Sequence, residues 1–210
     1  MHQYDRPRRA LAIALAGLAG YIDAAGFLSA DRYFVSFMSG NTTRLGVDLI
    51  QFPALAWIPA LLIVGFLAGV IGGAVLAAAA GERRKPVVLG TVALLLAGAA
   101  AVQAGGQTAA MLGLLVVAMG ALNNTFQRDG AVSVGLTYMT GALVRMGLGL
   151  AARVRGNGGD GWRGWGLLGL GLARGAVLGA VGWIHAPALV LWIAAGWAAM
   201  LAALSRRLRG

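Results

Sequence analysis

Apolar residues fill eight segments of this chain, at residues 10–30, 33–52, 53–80, 87–104, 108–126, 131–152, 165–184 and 187–204. Short polar stretches separate them, such as Glu82, Arg83, Arg84 and Lys85, or the glycine- and arginine-rich run at 153–164. About 20 apolar residues cross a bilayer as a helix, and a helix satisfies its own backbone in hydrocarbon. Six to eight such spans would take up about 120–160 residues, leaving loops and no folded domain outside the membrane. The pattern predicts one all-α transmembrane domain over residues 1–210.

The segments at 33–52 and 131–152 are poor ordinary spans. Each places glycine after a hydroxyl residue, then arginine, then glycine again: Ser39, Gly40, Arg44, Gly46 and Thr140, Gly141, Arg145, Gly147. The two stretches align at an offset of 101 residues, and five of the twelve positions from Met38 and Met139 are identical. Gly65, Gly69 and Gly73 of the third segment match Gly171, Gly175 and Gly179 of the seventh, while Pro86 and Pro187 open the fourth and eighth. Four segments thus match four in order, predicting internal repeats at about 10–105 and 106–205.

Charge bears on how the halves are related. If all eight segments cross and both termini are cytoplasmic, the basic loop residues divide nine inside and five outside. If the second and sixth dip in and return, the division is thirteen to one, with only Arg32 outside. Cytoplasmic loops carry the excess of Lys and Arg, which favours a helical bundle of six spans plus two re-entrant or broken helices. Three spans per repeat would make the halves inverted, an arrangement that recurs in transporters built around interrupted helices.

Composition narrows the function classes. The chain is 59% hydrophobic and 11% charged, against about 45–50% and about 25% in soluble domains, which excludes a soluble enzyme and a disordered chain. A net charge of +10, from 17 basic and 7 acidic residues, would suggest nucleic acid in a soluble protein. Here the basic residues flank apolar segments, as at Arg6, Arg8 and Arg9, at Arg153 and Arg155, and at Arg206, Arg207 and Arg209. They are read as orienting the chain and holding anionic lipid headgroups, not nucleic acid. The basic start resembles a signal peptide, but the apolar run at 10–30 is long for one and is read as a span that stays. Cysteine is absent, and His2 and His185 form no metal motif. Phe37 stands where the motif of intramembrane serine proteases needs glycine. No catalytic residue, metal or cofactor is expected.

The candidate chemistry lies at the two broken segments. A half-helix starting after Gly40 or Gly141 would point backbone N–H groups and a positive dipole end inward. Ser39, Thr42, Thr43 and Thr140 are placed to bond backbone groups freed by the break. Arg44 and Arg145 follow about one turn later. With Asn41 they form a candidate site for a small anionic solute. Asp23 is the one acid within the first segment; Arg44 and Arg145 are its candidate partners, and Asn123 and Asn124 its approximate counterparts in the second repeat. Asp48, four residues after Arg44, reads as local charge compensation. The two glycine stripes are helix-packing faces, either inside the fold or between protomers of a homo-oligomer.

The strings Gly20-Tyr21-Ile22-Asp23-Ala24-Ala25-Gly26-Phe27-Leu28 and Phe34-Val35-Ser36-Phe37-Met38-Ser39-Gly40-Asn41-Thr42-Thr43-Arg44-Leu45-Gly46 resemble the signature of the YoaK-like family of bacterial membrane proteins. The later Thr137-Tyr138-Met139-Thr140-Gly141, with Arg145, resembles that family's second characteristic stretch. The resemblance implies a multi-pass bacterial membrane protein of about this length. It supplies no substrate, catalytic residue or cofactor. The leading expectation is an inner-membrane transporter or channel for a small solute or ion, with both termini cytoplasmic. The alternative is a scaffold or accessory subunit that packs a partner through its glycine faces.

Overall fold

The computed structural model describes residues 4–30, 32–128, 131–157 and 160–208. The loop residues Asp129, Gly130, Gly158 and Gly159, with His2 and Arg209, lie outside them. The described residues form eight α-helices: α1 (Arg6–Ser29), α2 (Met38–Gln51), α3 (Trp57–Ala80), α4 (Arg84–Ala104), α5 (Thr108–Leu122), α6 (Met139–Val154), α7 (Gly161–His185) and α8 (Pro187–Ser205).

Local chemistry sets several of these limits. Asp5 caps α1 by accepting the Arg8 N–H at 3.0 Å, with proline in the first turn. α3 and α4 are separated by a single 3-10 turn in which Gly81 takes a φ of 53°, a conformation that favours glycine. Only Ala186 stands between α7 and α8. Helix α7 starts four residues before the apolar segment expected at 165–184, because Asp160 at its N-terminus pairs with Arg163 at 3.2 Å and draws the polar lead-in into the helix. The largest departures are at α2 and α6. Both are shorter than the segments expected at 33–52 and 131–152, and the residues leading into them are irregular, with bends and turns, or form a short β pairing of Gln127–Arg128 with Ala131–Val132.

The long helices pack in matched pairs. Helix α7 lies along α1 and α3 lies along α5. Gly171, Gly175 and Gly179 meet Ile13, Gly17 and Tyr21, so α1 and α7 run parallel; Gly69 and Gly73 meet Val117 and Ala121, so α3 and α5 do too. Helices α4 and α8 pack between these pairs and run antiparallel, since Lys85 bonds to Leu208 at one end and Gln103 to Pro187 at the other. Helix α2 rests on α3 and α6 on α7. Tyr4, just before α1, packs edge-on against Phe126, just after α5, so α1 and α5 run in opposite directions.

Two outer faces are largely apolar, that of α7 interrupted by the exposed Arg174. Leu61, Val64, Leu67, Ile71 and Val75 of α3 are exposed, as are Leu170, Val177, Val181 and Ile184 of α7. Water-soluble monomers rarely show such patches; lipid is the solvent that suits them. Five stretches are long and apolar enough to cross a membrane, and one of these, Pro53–Ala104, holds both α3 and α4. The protein is an all-helical membrane protein.

Candidate site between two helix starts

After α1 the chain turns back on itself. Tyr33 donates to the Ala30 carbonyl at 2.9 Å, and from there to Phe37 the backbone is irregular, with bends at Val35 and Ser36. Hydrocarbon offers no partner to such a backbone, so side chains serve it. One carboxylate oxygen of Asp23 accepts the N–H of Val35 at 2.9 Å and of Ser36 at 2.8 Å. Asn41, fully buried in the first turn of α2, accepts the Phe34 N–H at 3.1 Å and donates to its carbonyl at 2.7 Å. Asp23 sits roughly 9 Å back from the end of α1, at about 1.5 Å per residue. Its two bonds therefore bring the start of α2 well inside the bundle.

The lead-in to α6 is held in a related way. Asn123 donates to the Met119 carbonyl at 3.0 Å and to the Thr137 hydroxyl at 3.3 Å, and both side chains are buried. Thr137 stands one residue before Tyr138, the N-cap of α6, as Ser36 stands before Phe37, the N-cap of α2. Asn124 donates to the Val70 carbonyl of α3 at 3.0 Å and accepts from the Gln127 amide, pinning the end of α5 to α3.

The two helix starts open on one cavity of about 300 Å³, lined by residues 36–39 and 137–141 together with Phe66 of α3. No side chain caps either helix. Their leading N–H groups and the positive ends of both dipoles are thus turned to the same space. Phe37 and Tyr138 flank it, and the hydroxyls of Ser39 and Thr140 lie on its wall. Oriented N–H groups and hydroxyls beside aromatic edges favour a small anion or carboxylate.

The sequence-predicted residues fall at different distances from this cavity. Gly141 lines it. Gly40 is packed under aromatic rings, where a methyl would stand 2.7 Å from Phe37 Cε1 and 2.9 Å from Phe34 Cδ2. The helices begin before these glycines, at Met38 and Met139, not after them, because Asp23 and Asn41 hold the backbone just before α2 and Asn123 holds Thr137 just before α6. Thr42 and Thr43 do not serve freed groups; they donate to Met38 and Ser39 carbonyls of their own helix at 2.9 and 3.1 Å. Arg44 pairs with the buried Asp48 at 3.8 Å and covers the Tyr33 ring at 4.4 Å, while the exposed Arg145 covers the Trp165 ring at 4.6 Å. Neither arginine lines the cavity, and among the described residues neither pairs with Asp23, whose bonding oxygen is occupied by the two backbone N–H groups. Both glycine stripes are filled within the chain, by α5 and α1.

A family model described as protein of unknown function (DUF1275) matches residues 11–204. The chain belongs to that family. It is also 40% identical over 184 residues, covering 88% of this chain and 80% of the relative, to the UPF0700 transmembrane protein RA0705 of Rhizobium meliloti (strain 1021). No solved structure matches it. The matches bear out the family resemblance and the multi-pass reading, and they carry no activity with them.

Four residues lining the cavity are not among the site candidates expected from the sequence. Ser36, Phe37, Thr137 and Tyr138 lie immediately upstream of the repeated motif, and the same offset of 101 residues aligns hydroxyl with hydroxyl and aromatic with aromatic. The repeat therefore extends two residues further upstream than the twelve positions from Met38 and Met139.

Proposed function

We propose that this membrane protein is a transporter or channel for a small anionic solute, bound between the starts of α2 and α6. The observation that carries the reading is the sharing of one cavity by two uncapped helix starts. Helix N-termini are ready anion sites, and two at one point double the effect without a buried cation.

The architecture belongs to the same proposal: two inverted repeats, six spans and two re-entrant helices. What supports it is that each packed helix pair has its counterpart when α1 to α4 are exchanged for α5 to α8, with α1 and α5 antiparallel. Discontinuous helices between inverted repeats suit alternating access about a fixed site. Arg6 and Arg9, Arg83 to Lys85, Arg163, and Arg206 and Arg207 gather at one end of the bundle. By the positive-inside rule that end is cytoplasmic, with both termini, in a bacterial inner membrane. In this reading Arg44 and Arg145 set the potential along their helices without touching the solute, and Asp23 and Asn123 position the helix starts.

Purified protein in liposomes, loaded in turn with formate, acetate, nitrate and chloride, tests the proposal by efflux. Flux of at least one anion is expected, with loss in Thr140→Leu, which fills the cavity, and unchanged unfolding of that variant. No flux of any of the four, or flux indifferent to Thr140→Leu, overturns it.

A further inference from the structure

We propose that the charged end of the bundle carries a specific site for the phosphate of an anionic phospholipid, in the cleft between the α3–α4 turn and the end of α8. A cavity of about 690 Å³ lies there, lined by Glu82, Arg83, Pro86, Val87, Ser205 and Arg206. Beneath it Lys85 is 5% exposed, and its ammonium group donates to the Leu208 carbonyl at 3.3 Å. Burying a lysine is costly unless it is paired or hydrogen-bonded. Here the bond ties the segment after α8 down onto the start of α4, which carries Arg206 over the cleft beside Arg83.

Three features select an anion. Arg83 and Arg206 have no acidic partner within 4.0 Å among the described residues. Helix α4 begins at Arg84 without a side-chain cap and brings its positive dipole end to the cleft, although the Arg84 N–H is already taken by the Gly81 carbonyl and Pro86 has none. A second basic cavity, lined by Arg6, Arg9 and Arg163, already contains Asp160, whose carboxylate pairs with both Arg153 and Arg163. The cleft at Arg83 and Arg206 has only Glu82 to offset it.

Two further features select a lipid over free phosphate. The cleft sits at the ends of apolar helices, where headgroups lie. Val87 of α4 lines the cleft and is exposed, and the turn of α8 that leads up to Ser205 exposes Met200 and Leu204, apolar surface for acyl chains beside the polar cavity.

Native mass spectrometry of the full chain released from nanodiscs of mixed phosphatidylglycerol and phosphatidylcholine tests the site. The wild type should retain phosphatidylglycerol selectively. Arg83→Gln with Arg206→Gln should weaken retention roughly 30-fold, from about 1 kcal/mol per basic group at an anionic surface. Arg153→Gln with Arg155→Gln changes net charge equally at the same end and should retain the lipid as the wild type does. Arg83→Lys with Arg206→Lys should keep binding within a few-fold of the wild type. Equal loss in the two glutamine pairs would mean a diffuse charge effect and overturn the proposal. So would retention unchanged in Arg83→Gln with Arg206→Gln, or displacement of the lipid by inorganic phosphate.

Discussion

Alanine at Gly69 is the sharpest test of how the helices are paired. Its methyl would be driven into the Val117 carbonyl group of α5, 2.9 Å from that residue's Cα and carbonyl carbon. Carbon atoms settle at about 3.5–4.0 Å, and these belong to a backbone with no rotamer to change. Helices α3 and α5 must therefore part by something on the order of 1 Å, a gap that forfeits about a quarter to a half of each contact's attraction. Overpacking penalties run at about 1–3 kcal/mol. A rigid backbone neighbour puts this one at about 3 kcal/mol, offset by about 1 kcal/mol because alanine favours the helix over glycine. The net loss is about 2 kcal/mol. Gly72, on the same helix, has nothing within 4 Å, so Gly72→Ala should be neutral or stabilise by up to about 1 kcal/mol. Gly175→Ala, directed at the Gly17 carbonyl, should match Gly69→Ala, since the α7–α1 contact mirrors α3–α5. Unfolding of the purified protein in detergent, followed by helical circular dichroism, reads all three. Equal stability of Gly69→Ala and Gly72→Ala would refute the packing.

The same unfolding assay reads three more substitutions. Asp23→Ala leaves the Val35 and Ser36 N–H groups without a partner, at about 1–3 kcal/mol each, whereas Asp23→Asn keeps an acceptor and should cost less. Arg44→Ala strips the counter-charge from Asp48, which is 3% exposed, and should cost more than Arg145→Ala, which loses a ring contact of about 0.5–1 kcal/mol. Thr42→Ala and Thr43→Ala remove only bonds to their own helix, on an exposed face, and should leave stability near the wild type.

The glycine faces were legible in the sequence because helical packing has a short period: residues four apart share a face whatever lies opposite. The motif at Ser39–Gly40 and Thr140–Gly141 was legible because it occurs twice. The course of residues 33–37 was not, since Phe34 and Val35 are as apolar as any span residue and it is the bonds from Asn41 and Asp23 that serve their backbone outside a helix. Asp23 and Arg44 were natural partners by charge alone, but the carboxylate is occupied by backbone and the guanidinium by Asp48 and Tyr33. Lys85 read as one more loop cation; its burial depends on Leu208, more than a hundred residues away. That contact has no local signature.

The starts of α2 and α6 face one another across the bundle only if each helix returns to the side from which its segment entered. The chain has no cysteine, so single cysteines at Arg32, Arg84, Gly105 and Asn157 make the direct test, labelled in intact cells with an impermeant thiol reagent. Labelling at 32 and 105, with 84 and 157 reacting only after the membrane is opened, is the predicted result. Labelling at 32 and 84 together, with 105 and 157 protected, would mean that α2 and α6 cross the membrane, and would contradict the account.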